Sequence, residues 1–154
     1  FVYPWDWRQG KSLADGHAYV ISIEYRDGAY TGEIFRGVPH GQGEWTFTDG
    51  RRFIGGFKRG YFHGYVDATL SDGSSYVGYY HRNLRHGYGT LTKTDGSTYV
   101  GDFSGDKRHG KGTRTYVDGS KFVGDYKKGK RWTGTEYDGD GIITATYSEG
   151  IRTE

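Results

Sequence analysis

One interval governs this chain: an aromatic residue returns every 23 positions, at Tyr30, Phe53, Tyr76, Tyr99 and Phe122. A fixed period of that size marks a repeat architecture, in which each unit is too small to bury a core alone and must stack on its neighbours. Two further positions keep the register. The first is Gly32, Gly55, Gly78, Gly101 and Gly124; the second is Gly37, Gly60, Asn83, Asp106 and Gly129. Gly, Asn and Asp tolerate positive φ, so the second set predicts a left-handed turn residue.

His-Gly recurs at 40/41, 63/64, 86/87 and 109/110, and Asp-Gly at 49/50, 72/73, 95/96 and 118/119. Read as two turn signals per unit, these leave stretches of about five to seven residues between them, the usual strand length. Two strands per repeat follow. Alternation places Tyr99, Gly101 and Phe103 on one face with Val100 and Asp102 on the other, while Gly112, Arg114 and Tyr116 share a face. Stacking the units then predicts an aromatic column at Ile34, Phe57, Tyr80, Phe103 and Tyr126, and a threonine ladder at Thr46, Thr69, Thr92 and Thr115. The glycine between two aromatics is expected to receive a ring from the next hairpin.

Composition agrees with a thin structure. Only 33% of the residues are hydrophobic and 18% are aromatic, so rings supply most of what can be buried. Twenty-eight glycines without a collagen register point to many tight turns. The absence of cysteine excludes disulfides and thiolate metal sites. With no long apolar run and no leader-like start, the chain reads as soluble and unsecreted, with a cytoplasmic location at a membrane surface or cytoskeletal structure as the expectation. The first residue is not Met, so it reads as a piece of a longer protein.

The stretch "YVGDFSGDKRHGKGTRTYVDG" resembles a MORN repeat (membrane occupation and recognition nexus). The resemblance implies an all-β fold: an elongated, curved single-sheet solenoid of consecutive antiparallel hairpins, with no helix layer. One domain spans 1–154, with regular repeats at 30–52, 53–75, 76–98 and 99–121. Residues 1–29, which add Trp5 and Trp7, form a degenerate N-terminal cap. Residues 122–154 form a degenerate last repeat, with Trp132 in place of histidine. Family members act as scaffolds and targeting modules, which implies a binding role and no enzyme within these residues.

The spacing argues against catalysis on its own terms. Strands lie ~4.8 Å apart, so equivalent histidines or aspartates of successive repeats stand ~10 Å from their copies and cannot share a metal or a reacting bond. His81 and His86 lie closer, across one turn, but without carboxylate or thiol neighbours. The run "EYDGDGIITATY" mimics part of a calcium loop through Glu136, Asp138 and Asp140, yet has Tyr147 where a bidentate glutamate belongs; it reads as a hairpin turn. No cofactor and no metal are expected.

Two features break the repeat and become binding candidates. Tyr61, Phe62, Tyr65, Tyr79 and Tyr88 are extra aromatics, read as an exposed surface for a protein partner, a helix or an extended peptide. The bland counterpart is that these rings simply cover neighbouring glycines. Lys107, Arg108, Lys127, Lys128, Lys130 and Arg131 fall near hairpin turns of adjacent repeats, within a stretch from 107 to 131 that holds 9 basic and 2 acidic residues. That edge suits anionic phospholipid, or it merely solvates a face. Carbohydrate stacking on the aromatics is a third option, nucleic acid is not expected, and a homodimer through the terminal edge strands is possible in principle.

Overall fold

The computed structural model describes residues 16–154, so Trp5, Trp7 and most of the expected N-terminal cap lie outside the described residues. Thirteen strands run in chain order: β1 (His17–Tyr25), β2 (Gly28–Phe35), β3 (Val38–Thr46), β4 (Arg52–Lys58), β5 (Tyr61–Thr69), β6 (Ser75–His81) and β7 (Leu84–Thr92). They continue as β8 (Thr98–Ser104), β9 (Lys107–Thr115), β10 (Lys121–Lys127), β11 (Lys130–Tyr137), β12 (Ile143–Ser148) and β13 (Ile151–Thr153). Each pairs with the next in a single antiparallel meander, and the described residues include no helix.

A row of glycines crosses this sheet. Gly78 pairs with Gly89, Gly89 with Gly101, Gly101 with Gly112, Gly112 with Gly124, and Gly124 with Gly134. The row begins at Gly32, Gly43 and Gly55 and is interrupted once, by Val66. Its purpose is space. A Cβ on Gly43, Gly89 or Gly112 would overlap the ring of Tyr30, Tyr76 or Tyr99 respectively. The rings come from the same hairpin as the glycine, not from the next one, because each tyrosine lies back across its own strand pair.

The tyrosine hydroxyl also answers a backbone need. Between the pairs Gly101–Gly112 and Phe103–Arg108, one residue of β8 faces three of β9, and the ladder breaks at Asp102. Tyr99 Oη donates to the Asp102 carbonyl at 2.8 Å; Tyr76 serves Tyr79 O at 3.1 Å and Tyr30 serves Glu33 O at 2.6 Å in the same way. Repeat two departs as a set: Val66 fills the slot, Phe53 has no hydroxyl, and its ring stacks instead on Phe62 at 4.1 Å.

The rings then lock to each other. Tyr80, Tyr76, Phe103, Tyr99, Tyr126, Phe122 and Tyr147 form an unbroken edge-to-face series with centroids 5.0 to 5.3 Å apart. Such contacts are worth roughly 0.5–1.5 kcal/mol each beyond the area they bury. This aromatic face is the inside of the curl. Tyr25, next to a turn at one long edge, lays its hydroxyl against Gly60 in a turn at the other, which a flat sheet could not bring together.

The Asp-Gly signals are loops, as their composition predicts. Asp95 Oδ1 accepts from Ser97 N at 2.8 Å and Ser97 Oγ at 2.6 Å, and Asp118 repeats the arrangement with Ser120. The serine hydroxyls, then the backbone N–H groups, hold the carboxyls of Asp72, Asp95 and Asp118 below the usual aspartate range. The His-Gly signals are not turns. Gly41, Gly64, Gly87 and Gly110 sit at φ of 82° to 100° inside strands β3, β5, β7 and β9, where the extra residues of the bulge require a left-handed conformation. The turns at that edge are the two-residue ones at 36–37, 59–60, 82–83, 105–106 and 128–129. Both members have positive φ, as at Arg82 (47°) and Asn83 (69°), which matches strand twist.

The threonine ladder is also corrected. Thr46, Thr69, Thr92 and Thr115 sit on alternate strands, with Arg52 between the first two and Ser75 between the next two; only the last two are joined through a threonine, Thr98. An antiparallel meander always places the repeat's other strand between equivalent residues.

Two outcomes are expected from this core. Gly112→Ala forces a methyl into the Tyr99 ring and should cost about 1–3 kcal/mol in denaturant unfolding; a loss under about 0.5 kcal/mol would count against the slot. Burial pushes Tyr76 up to about 12 and raises Tyr80, Tyr99 and Tyr126 as well. Groups with raised folded values contribute fully below the unfolded tyrosine value near 10 and lose that contribution as pH rises. The melting temperature should therefore decline between about pH 10 and 12, and by less in Tyr76→Phe.

Candidate binding surfaces

The inner face changes chemistry along the stack. At one repeat position the residues are Pro39, Phe62, Arg85, Arg108 and Arg131; at another they are Trp45, Ala68, Leu91 and Arg114. Strands β3 to β5 thus line it with apolar groups, and β7 to β11 with guanidinium groups lying on aromatic rings. Arg85 stands 5.0 Å from the Phe103 centroid, Arg108 5.1 Å from Tyr126, Arg114 4.9 Å from Tyr116 and Arg131 4.9 Å from Phe122.

Their acids are unequally supplied. Arg85 Nε bonds Asp106 Oδ1 at 2.6 Å, and Arg131 pairs with Glu136 while donating to Tyr147 Oη at 3.0 Å. Burial disfavours the Glu136 charge, but Arg152, Tyr147 and Arg131 outweigh it and hold its carboxyl low. The turn residue that gives Arg85 its aspartate is Gly129 for Arg108, whose Nη2 reaches only the Gly129 carbonyl at 3.2 Å. Among the described residues Arg108 and Arg114 make no ion pair.

Between these groups lies an open groove of about 470 Å³, lined by Arg85, Lys93, Tyr99, Phe103, Arg108 and Arg114. A second hollow of about 440 Å³ shares Arg85, Leu91, Lys93 and Asp106 with it and extends over Phe53, Phe62 and Leu70. The two adjoin through these shared residues, the second mixing Phe53, Phe62 and Leu70 with Arg51, Asp72 and Asn83, the first being mainly cationic.

The extra aromatics divide between the faces. Tyr65 (57% exposed), Tyr79 (49%) and Tyr88 (56%) stand on the outer face, with Tyr65 and Tyr79 paired across β5 and β6 in edge-to-face contact at 5.8 Å. Tyr61 is 38% exposed beneath the Arg26 guanidinium. Phe62 corrects the expectation of exposure: it is 7% exposed and belongs to the core, because even-numbered residues of this strand turn inward. A further hollow of about 400 Å³ beside Tyr88 runs along Val100, Lys111 and Val123.

The basic cluster divides likewise. Lys107, Lys127, Lys128 and Lys130 are exposed, with Lys127 Nζ 4.3 Å from the Trp132 ring centroid. Arg108 and Arg131 are half-buried on the inner rings and do not belong to one open edge with the lysines. Alternation turns each arginine inward from an adjacent outward lysine, although Lys107 still borders the groove that Arg108 lines.

The histidines brace turns. His40 Nδ1 accepts from Arg59 N and His109 Nδ1 from Lys128 N, both at 3.2 Å, tying a strand to the turn of the next repeat. His63, His81 and His86 form a loose line with ring centroids 5.2 and 6.0 Å apart. Burial, then Lys58, lowers the His63 pKa. No group of three or more His, Asp or Glu among the described residues is placed to hold a metal. In the calcium-like run, Asp138 Oδ1 accepts from Ile142 N at 2.8 Å, closing the β11–β12 hairpin, while Glu136 points to Arg131 and Arg152.

Arg85, Arg114 and Lys93 were not among the sequence candidates. The signal was present: Arg114 shares a face with Gly112, and an arginine stands 23 residues before and after Arg108. A family model described as MORN repeat matches residues 30–51, 53–65, 76–98 and 99–121, just over half of the chain. No curated protein matches it significantly. No helix among the described residues is long and apolar enough to cross a membrane.

His109→Ala should cost about 0.5–1.5 kcal/mol, the worth of one hydrogen bond, in thermal or denaturant unfolding. A variant as stable as the parent would remove the bracing role.

Proposed function

Because the chain belongs to the MORN-repeat family, a non-enzymatic repeat module commonly associated with protein and membrane binding, we propose that it is a docking module that takes up an elongated protein segment along its inner face. The observation behind this reading is the continuous channel from Phe53 to Arg108, formed by two hollows that share Arg85, Leu91 and Lys93. Its floor is rigid, because the rings beneath it are locked in their edge-to-face series, so little conformational freedom is lost on binding. The outer tyrosines Tyr65, Tyr79 and Tyr88 offer a second, flatter surface to the same partner.

A second reading has its own support. Lys107, Lys127, Lys128 and Lys130 are all exposed near two adjacent turns at one long edge. At roughly 1 kcal/mol per residue near an anionic bilayer, four lysines suffice for reversible adhesion at low salt.

Both readings are tested on the same purified chain. Sixteen-residue peptides selected from a random displayed library should bind and perturb backbone amide resonances of Phe62, Leu70, Leu91 and Phe103. Perturbation confined to Tyr65, Tyr79 and Tyr88 would move the docking site to the outer face. Sedimentation with phosphatidylserine vesicles, lost on changing Lys127, Lys128 and Lys130 to Glu, together with no peptide binder, would favour the membrane reading.

A further inference from the structure

Among the described residues, Arg51, Arg85, Arg108, Arg114 and Arg131 lie next to rings of the inner face, and three of these have acids: Arg51 with Asp49, Arg85 with Asp106, and Arg131 with Glu136. Arg108 and Arg114 have none, and both are half-buried in the larger groove. Their nearest acids are engaged. Asp106 is held by Arg85, and Asp95, which Arg114 helps to keep charged only from a distance, is bound to Ser97 in its loop. Lys93, at the same groove, adds a further cation without an ion pair among the described residues.

We propose that Arg108, Arg114 and Lys93 form a carboxylate-recognition site for an Asp or Glu side chain of the docked protein segment, with Tyr99 and Phe103 as its floor. This rests on the docking reading above and adds to it the partner's chemistry. Guanidinium groups offer planar, bidentate donors, and rings beneath them keep the donors oriented while leaving the outward edge open to an acid. The desolvated setting strengthens the pairing relative to an exposed lysine edge.

The channel also sets the spacing. From Phe62 on β5 to Arg108 and Arg114 on β9 is four strand steps, ~19 Å at ~4.8 Å each. That span equals about six extended residues or about thirteen helical ones. The partner therefore presents apolar side chains at one end and an acidic residue at that remove. A protein segment is favoured over a lipid because Arg108 and Arg114 are half-buried inside the curl, and the adjoining hollow mixes Phe62 and Leu70 with Arg51, Asp72 and Asn83, a pattern that successive side chains of a peptide can match and an acyl chain cannot.

The peptides selected on the parent chain provide the test. Asp and Glu should be enriched over the input library, and the affinity of enriched peptides should fall about tenfold or more for Arg108→Gln/Arg114→Gln, as expected for lost charge-assisted hydrogen bonds. The Lys127→Gln/Lys128→Gln/Lys130→Gln variant should lose less than the arginine double variant, since these side chains are exposed at the turn and do not line the groove. Should the double variant fail to fold by circular dichroism, Arg114→Met alone, which keeps the stem over Tyr116, should still lose about threefold or more. Enriched peptides without an acidic excess, or binding equally to the arginine variants, would overturn this inference and leave the docking reading standing. No enriched peptide would overturn both. Phosphatidylserine vesicle binding abolished by the arginine variants but not by the lysine variant would show a lipid headgroup as the anion and overturn the proposal.

Discussion

A tyrosine ring lying over a glycine is the contact on which this molecule depends. A single sheet has no second layer to bury its apolar face, so the protein makes a core out of side chains folded flat onto their own backbone. Glycine at Gly43, Gly89 and Gly112 is required by volume: any Cβ there would occupy the ring's place. The same ring satisfies the carbonyl that the adjacent bulge strands, so packing and hydrogen bonding are met by one residue. Repeat two shows the constraint by its exception, where Val66 closes the slot and Phe53 moves onto Phe62.

Once rings cover the inner face, its remaining chemistry follows. Arginine stems and guanidinium planes can lie on aromatic faces where a lysine would leave a gap, and the positions equivalent to Phe62 become Arg85, Arg108 and Arg131. Edge turns settle which of those charges is neutralised within the chain, because the residue at the turn's second position supplies an aspartate to Arg85 and a glycine to Arg108. The same backbone geometry, positive φ, suits Gly and tolerates Asp. Fold and charge are therefore set independently at one position, and the stack can vary its groove without altering its turns.

The two proposed modes of association would draw on different parts of this arrangement. The lysines project from the edge into solvent, where their attraction to an anionic surface is long-ranged and salt-sensitive. The groove arginines are partly desolvated and fixed, which suits recognition of a single group. Strand alternation turns Lys127, Lys128 and Lys130 outward and Arg108 and Arg131 inward, with Lys107 bordering the groove between the two sets.

The period of 23 residues, the strand count per repeat, the aromatic column and the left-handed turn residues were all legible in the chain, because each depends on local backbone preference or on the two-residue alternation of a strand. Alternation alone does not tell which face is the inside, so it neither marks Phe62 as a core ring nor assigns Arg114 to a groove, although both obey it. The His-Gly pairs misled for a related reason: a left-handed glycine serves a turn or a bulge equally well, and only the pairing partners distinguish them. The amino-acid order alone thus determined a stack of hairpins with rows of like residues. The tertiary structure decided how those rows face one another, since the curl of the sheet and the register across strands bring Arg85 to Asp106 and Arg108 to Gly129, each 21 positions on, so that the first gains an acid and the second does not.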